Sequence, residues 1–236
     1  MSDHTSSQFD AEMEALRTGV LGMGGLVEQQ MLRAIRLLQE EDSETGALDA
    51  VGAGEQQINQ YQVQLDQQCA QIIARRQPAA VDLRMVLTVT KVVNDLERIG
   101  DEAKKVAYKS AGALRGERLS HVRHYEVARV ASSALQMLRD ALNAFARLDV
   151  DVAVQIVDED EAVDAGFASI LRQLISYMME DPRTISGALD LVFVAKSIER
   201  IGDHAKNIAE AVVQVVMGKD VRHASAEQIR AEVAEP

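Results

Sequence analysis

Residues 96–101 read Leu-Glu-Arg-Ile-Gly-Asp and residues 198–203 read Ile-Glu-Arg-Ile-Gly-Asp, so five of six positions are identical. Helical packing alone does not require this string twice, and its recurrence indicates an internal duplication. Around each copy the apolar positions alternate in steps of three and four, which is typical of a helix packed in a bundle. In the first copy these positions are Val86, Val89, Val93, Leu96, Gly100, Ala103 and Ala107, and adding 102 to each number gives the second set.

A second pair of segments repeats the same pattern at an offset of 105 residues. The first runs from Leu48 to Ile72 and the second from Ala153 to Tyr177. The patterns predict six long helices, at about 8–41, 44–76, 80–111, 118–147, 149–180 and 183–217, with ends uncertain by ~2–4 residues. Long helices joined by short links are expected to pack as antiparallel neighbours.

The sequence therefore predicts an all-α fold of two tandem, duplicated three-helix bundles. The first bundle is assigned to residues 8–112 and the second to 117–217, with a junction near 112–120. Residues 218–236 form a charged tail that lacks a long apolar seam, and we expect it to be a frayed extension.

The composition excludes several classes of function. A net charge of −12 repels phosphate backbones, which argues against a nucleic-acid partner. The only cysteine is Cys69, so there is no intramolecular disulfide framework, and a reducing compartment is favoured. The N-terminus does not resemble a secretory signal, and no run of 18 apolar residues occurs. We expect a cytoplasmic protein with no membrane span.

Eight oxygen-bearing side chains form four pairs at a spacing of four residues, which places each pair on one face of a helix. The pairs are Glu55 and Asn59, Glu97 and Asp101, Asp160 and Asp164, and Glu199 and Asp203. Two members, Glu55 and Asp160, stand at seam positions that should be apolar. A buried carboxylate is costly unless it is paired, neutralised or bound to a metal.

Converging carboxylates suit a hard cation, so the sequence predicts one metal site in each repeat. Mg, Ca, Mn or Fe fits such ligands better than structural Zn, and the spacing does not identify the ion. Gly100 and Gly202 stand inside the repeated motifs and suggest a close approach of two helices there.

Three other interpretations remain open. Glu97 and Asp101 could simply pair with neighbouring cations on a solvated face, and the protein would then be a structural bundle without metal. His204 follows Asp203 directly, and a solvent-facing or salt-bridged histidine is favoured there over a ligand. A carboxylate-bridged di-metal enzyme would need Glu-x-x-His, which does not occur in this chain. Without a nucleophile constellation or a glycine-rich phosphate loop, we predict a protein that is not an enzyme.

Several segments resemble the PhoU family. They are the repeated Glu-Arg-Ile-Gly-Asp string, Ala-Arg-Arg-Gln-Pro at 74–78, Tyr-Met-Met-Glu-Asp-Pro-Arg-Thr-Ile at 177–185 and Met-Gly-Gly-Leu-Val-Glu-Gln-Gln-Met at 23–31. The resemblance covers residues 8–225 and implies two PhoU three-helix bundles side by side. It also implies a negative regulator of the phosphate-starvation response. Such a regulator would link the ATPase of the phosphate ABC transporter to a sensor histidine kinase at the cytoplasmic face of the membrane, which it would reach only through these partners.

The resemblance also implies multinuclear metal clusters held by paired acidic motifs, and these motifs fall on the eight residues given above. Asn59 departs from the all-acidic form, because an amide oxygen can ligate but carries no charge. We therefore expect the first site to bind metal less tightly than the second. The sequence leaves the oligomeric state open, a homodimer included.

Overall fold

The computed structural model describes residues 2–39, 46–113, 121–222 and 224–234, and the described residues contain helices and no strand. The helices, numbered in chain order, are α1 Ser2–Gln39, α2 Ala47–Arg76, α3 Ala80–Ala113, α4 His121–Arg147, α5 Val150–Glu180, α6 Ile185–Met217 and α7 Ala226–Ala234. Helices α1 to α3 form the first bundle and α4 to α6 the second. The predicted all-α, duplicated architecture is confirmed.

The six predicted helices agree with the structure to within a few residues at most ends. Helix α1 begins about six residues earlier than expected, and a short 3-10 turn, Pro182–Thr184, precedes α6. The predicted end of the first helix at 41 and the predicted start of the second at 44 lie outside the described residues, as does most of the junction at 112–120. The division of the chain at 112 and 117 therefore stays a prediction.

Local chemistry ends the helices where the sequence suggested. Gln77 adopts a left-handed conformation with φ of 49°, and its N–H donates to the Ile73 carbonyl, which closes α2 just before Pro78. The Asp149 carboxylate accepts a hydrogen bond from the Val152 N–H at 3.1 Å and caps the start of α5. Gly218, with φ of 73°, closes α6.

The predicted seams form the core of each bundle. Every seam position of α3 and α6 given above is buried. Both central helices also carry a second buried stripe that the sequence analysis did not separate from the first. On α3 it contains Val92, Ile99 and Val106, and the matching residues of α6 are Val194, Ile201 and Ile208. Because each central helix has two apolar faces, it packs within its own bundle and against the other one.

Polar bridges mark the antiparallel packing of α3 on α6. Near one end, Lys91 of α3 donates to Gln214 of α6 at 2.8 Å. Towards the middle, Arg200 of α6 donates to Glu102 of α3 at 2.9 Å, and Glu102 is buried. Nearer the other end, Lys109 pairs with Asp190 at 3.2 Å. The two bundles are therefore joined along most of the length of their central helices.

The expectation of a frayed tail is wrong for the part of the tail that the structure describes. Helix α7 packs against α5 with Ile229 buried, and its Arg230 pairs with Asp158 of α5. Val221, in the segment before α7, is also buried. The Ser225 hydroxyl accepts from the Gln228 N–H, and the Gln228 side chain accepts from the Ser225 N–H. This reciprocal pair is a capping box, a local helix-start signal that a search for long seams overlooks.

Among the residues that the structure describes, no helix is long and apolar enough to cross a lipid bilayer.

Candidate metal centre

The acidic residues of the second repeat converge between α5 and α6. Ligand oxygens of Asp160, Asp164 and Asp203 all lie within 4.8 Å of one another. Asp160 is only 3% exposed, whereas the other two carboxylates open to solvent. Its Oδ2 accepts a hydrogen bond from Lys206, but its Oδ1 is buried without a hydrogen-bond partner. A buried carboxylate oxygen with no donor, next to two further carboxylates, is an arrangement that a cation would satisfy.

The convergence of these carboxylates raises the pKa of two of them, Asp203 and Asp164. The carboxylate of Asp203 is partly shielded from water although the residue is exposed, and this partial burial raises its pKa, as do the charges of Glu199, Asp160 and Asp164. Burial also raises the pKa of Asp164, with added repulsion from Asp160 and Glu199. Since both groups resist ionisation next to their neighbours, a bound cation would favour their charged forms.

Glu199 lies beside this cluster but outside the group of three. Its Oε1 accepts a hydrogen bond from Lys196 at 2.6 Å, while its Oε2 is buried without a partner. Its charge nevertheless raises the pKa of Asp203 and of Asp164. The four side chains predicted for the second site are therefore brought together, three of them within ligand distance of one another.

The first repeat brings Glu55 and Asp101 together. Burial raises the pKa of Glu55, and its contact with Asp101 raises it further. Asn59 donates to Glu55 Oε1 at 3.4 Å, so its amide nitrogen, not its oxygen, faces that carboxylate. Glu97 lies close enough for Asp101 to raise its pKa after the effect of burial, and it contacts Arg98 at 3.6 Å. In the part of the chain that is described, this repeat has no group of three carboxylates as tight as that of the second.

A glycine lies against the seam carboxylate in each repeat. A Cβ added at Gly100 would be 3.0 Å from Ile58 Cδ1 and 3.8 Å from a Glu55 oxygen. A Cβ added at Gly202 would be 3.3 Å from Val163 Cγ1 and 3.4 Å from Asp160 Oδ1. The close helix approach expected from the repeated glycines is confirmed, and it brings the acidic side chains of the two helices within reach of each other.

Two polar partners of the seam carboxylates were not anticipated. Gln30 of α1 is fully buried, and its Nε2 donates to Glu55 Oε2 at 3.1 Å and to the Gly100 carbonyl at 3.0 Å. Lys206 of α6 donates to Asp160 Oδ2 at 2.9 Å. Lys206 recurs as Lys104 when 102 is subtracted, and this repetition was the available sequence signal. Gln30 stands three residues after Val27 and four before Ala34 in the buried seam of α1, so a polar residue at an apolar position was its signal.

His204 contacts a carboxylate of the other bundle, one of the two arrangements that the sequence analysis favoured over a metal ligand. Its Nδ1 lies 2.9 Å from Asp95 Oδ1, and Asn207 donates to the same oxygen at 3.2 Å. Because Asp95 belongs to α3, this contact joins the two bundles and does not contribute a nitrogen ligand to the acidic cluster.

Together, the duplicated helical bundles and the acidic pairs on their neighbouring helices define a class of internally repeated, all-helical proteins. The model of the PhoU domain matches residues 20–109 and again 127–212. The chain therefore belongs to the PhoU family.

Relatives and solved structures agree with this assignment. The phosphate-specific transport system accessory protein PhoU homolog of Pseudomonas aeruginosa is 46% identical over 233 residues, covering 99% of this chain and 95% of the relative. The accessory protein PhoU of Escherichia coli is 42% identical, covering 97% and 93%. These names describe an accessory protein and not an enzyme, in agreement with the sequence prediction.

The crystal structure of PhoU from Pseudomonas aeruginosa superposes with a TM-score of 0.83 at 44% identity, covering 89% of this chain and all of that chain. The PhoU regulatory protein of Streptococcus pneumoniae superposes with a TM-score of 0.82 at 28% identity, covering 90% and 99%. The fold is thus shared with solved structures at 44% and at 28% sequence identity.

Proposed function

We propose that this protein regulates phosphate transport as a non-catalytic accessory protein of a phosphate-specific ABC transporter. The observation that carries the proposal is the 46% identity to a phosphate-specific transport system accessory protein across nearly the whole of both chains. Because the similarity covers both bundles, it relates the whole chain to the accessory protein and not one bundle alone.

The finer part of the proposal is that the protein restrains the phosphate-starvation response by contacting both the transporter ATPase and a sensor histidine kinase. Two similar bundles, joined through α3 and α6, offer two related surfaces to two partners. The net charge of −12 favours partners with basic surfaces. Association should therefore weaken as ionic strength rises from ~0.05 to ~0.5 M.

We also propose that the acidic clusters bind metal ions. In the second repeat Asp160, Asp164 and Asp203 would hold the ion, with Glu199 beside them. The oxygen-only donors and the orphaned Asp160 Oδ1 fit a hard cation such as Mg, Ca, Mn or Fe. A bound cation would supply positive charge that relieves the repulsion among the carboxylates and ties α5 to α6.

The first repeat would bind more weakly, through Glu55, Asn59, Glu97 and Asp101. One of its four positions is an amide, and the Asn59 nitrogen faces Glu55. Its side chain would have to rotate so that the oxygen faces an ion. Fewer negative ligands lower the affinity for a divalent cation.

A pair of experiments tests the two parts separately. Transcription from a phosphate-starvation promoter is measured in cells that lack the gene and carry the wild type, Glu199→Gln with Asp203→Asn, or the control Glu161→Gln. Glu161 lies on α5 and is exposed outside the cluster. Metal content of the purified proteins is measured in parallel. We expect wild type and control to repress, and the double variant to lose metal at the second site and then repression.

The outcomes separate the proposals. If wild type fails to repress, the regulatory proposal is wrong. If the double variant loses its metal and still represses fully, metal has no part in regulation. If the wild type binds no metal from a Mn²⁺-containing buffer, the metal proposal fails while the regulatory proposal stands.

A further inference from the structure

We propose that Lys206 is an exchangeable counter-ion of the second acidic cluster, whose ammonium group a metal ion must displace from Asp160. This inference rests on the proposed metal site and concerns how that site is held before an ion arrives. The geometry behind it is a 2.9 Å contact between Lys206 Nζ and Asp160 Oδ2.

The Lys206 ammonium group contacts Asp160, which is the most buried carboxylate of the cluster. The Asp160 side chain is 4% exposed, whereas that of Lys206 is 32% exposed, so the lysine approaches from the solvent side. Lysine ordinarily carries a positive charge at neutral pH, and the contact with Asp160 places that charge among acids that otherwise repel one another.

A metal ion and this ammonium cannot share Asp160 without cost. The two oxygens of one carboxylate are about 2.2 Å apart, and a hard cation binds within about 2.6 Å of its ligand oxygen. An ion on Oδ1 would stand a few ångströms from an ammonium on Oδ2, where two positive charges repel strongly in a partly buried site. Metal loading should therefore move Lys206 away from Asp160.

A second carboxylate stands on the same face of α6. Glu210 lies four residues further along the helix, one turn from Lys206. A long flexible lysine can exchange one carboxylate for another by rotation about its side-chain bonds, without movement of the helix.

The two repeats hold their seam carboxylates differently. Lys104 is the equivalent of Lys206, but it acts on Glu55 only through its charge, which lowers the pKa of that carboxyl against the larger effect of burial. Glu55 is instead held by the neutral amides of Gln30 and Asn59. Removing Lys104 should therefore change metal binding less than removing Lys206.

The test measures Mn²⁺ affinity of the second site by the loss of the free Mn²⁺ electron paramagnetic resonance signal. All proteins carry Glu55→Gln and Asp101→Asn, which silence the first site. We expect Lys206→Gln to bind Mn²⁺ about tenfold more tightly, since a hydrogen bond to a charged group is worth about one power of ten or more. Lys206→Arg keeps the positive charge and should stay close to wild type.

Lys196→Gln is the matched control. Lys196 is also positive and close to the cluster, but it pairs with Glu199 and is 49% exposed. A smaller gain in this variant, about two- to threefold, would reflect the loss of one positive charge beside the cluster without the release of Asp160. Equal gains in Lys196→Gln and Lys206→Gln would overturn the inference, and so would weaker binding in Lys206→Gln.

A second measurement follows the lysine itself. Acetic anhydride labelling, read by mass spectrometry, should modify Lys206 faster after Mn²⁺ loading, relative to Lys109, which pairs with Asp190. Unchanged or slower labelling would mean that the ammonium stays on Asp160, and the inference would be wrong. If neither wild type nor Lys206→Gln binds Mn²⁺, the metal proposal itself fails and this inference falls with it. Binding in wild type with no gain in the variant refutes only the inference.

Discussion

Replacing Asp203 with asparagine should stabilise the metal-free protein at neutral pH. Asp203 lies within 4.8 Å of two other carboxylates. At that distance two unit charges repel by about 0.9 kcal/mol in water and about 3.5 kcal/mol at an effective dielectric constant of 20. Asp164 and Asp203 are solvent-exposed, so the lower value applies. Lys206 also cancels part of the charge of Asp160. We expect a gain of about 1 kcal/mol, or a melting temperature higher by about 2–4 °C.

The pH dependence follows from the raised pKa of Asp203. Because the folded protein holds the proton on this carboxyl more tightly than the unfolded chain, its contribution to stability is fully present below the ordinary pKa of 3.8. That contribution is lost as pH rises through the raised pKa. Asparagine does not ionise, so the advantage of the variant should be small near pH 4 and should grow toward pH 7.

Thermal unfolding by circular dichroism, in EDTA and in Mn²⁺, provides the assay. Mn²⁺ at 100 times its dissociation constant would stabilise the wild type by about 2.7 kcal/mol, and the variant should lose most of that gain. Glu161→Gln on the exposed face of α5 serves as the control and should change neither measurement. An Asp203→Asn protein that is less stable in EDTA at pH 7, or that responds to Mn²⁺ as the wild type does, would refute the reasoning.

Three further predictions concern other parts of the molecule. Asn59→Asp should raise metal occupancy of the first site at limiting Mn²⁺, and unchanged occupancy by elemental analysis would contradict the charge argument. Gly25→Ala should raise the unfolding free energy by about 0.5–1 kcal/mol because its Cβ meets open space. Gly24→Ala should instead lower it by about 1 kcal/mol or more, since its Cβ would stand 2.6 Å from Leu142, and equal effects in urea unfolding would refute this contrast. Ile229→Asp should release α7 and speed proteolysis of the C-terminus, whereas an unchanged digestion rate would show that buried Ile229 does not anchor it.

Most of the fold was predictable because apolar periodicity reports burial directly. The seam from Val86 to Ala107 contained enough regularly spaced residues to define a long helix and its buried face. The second stripe, through Val92 and Val106, was present in the same sequence. Hydrophobic periodicity does not show which apolar face of a helix packs within its own bundle and which packs against the other bundle. The contact between α3 and α6 was therefore visible only in the structure.

The candidate site was predictable in part for a different reason. A carboxylate at a seam position, such as Asp160, is costly to bury unless a cation or hydrogen-bond donor compensates for its charge. The sequence alone shows that such a partner is required. The lysine that pairs with Asp160 lies on another helix. Which of several nearby cations forms this pair depends on the length and direction of their side chains. The contacts of Lys206 and Gln30 were therefore not predictable, although the repetition of Lys206 as Lys104 and the polar Gln30 in an apolar seam were visible.

The packing of α3 against α6 bears on the ancestry of the chain. The buried stripe of Val92, Ile99 and Val106 has its counterpart 102 residues later, so each half presents to the other a face related to its own. A primordial half-length chain with one such face would have associated with a second copy of itself about a twofold axis. Fusion of two copies would have made that encounter independent of concentration. It would also have let Asn59 and Asp164 diverge, which no self-associating single-repeat ancestor could do.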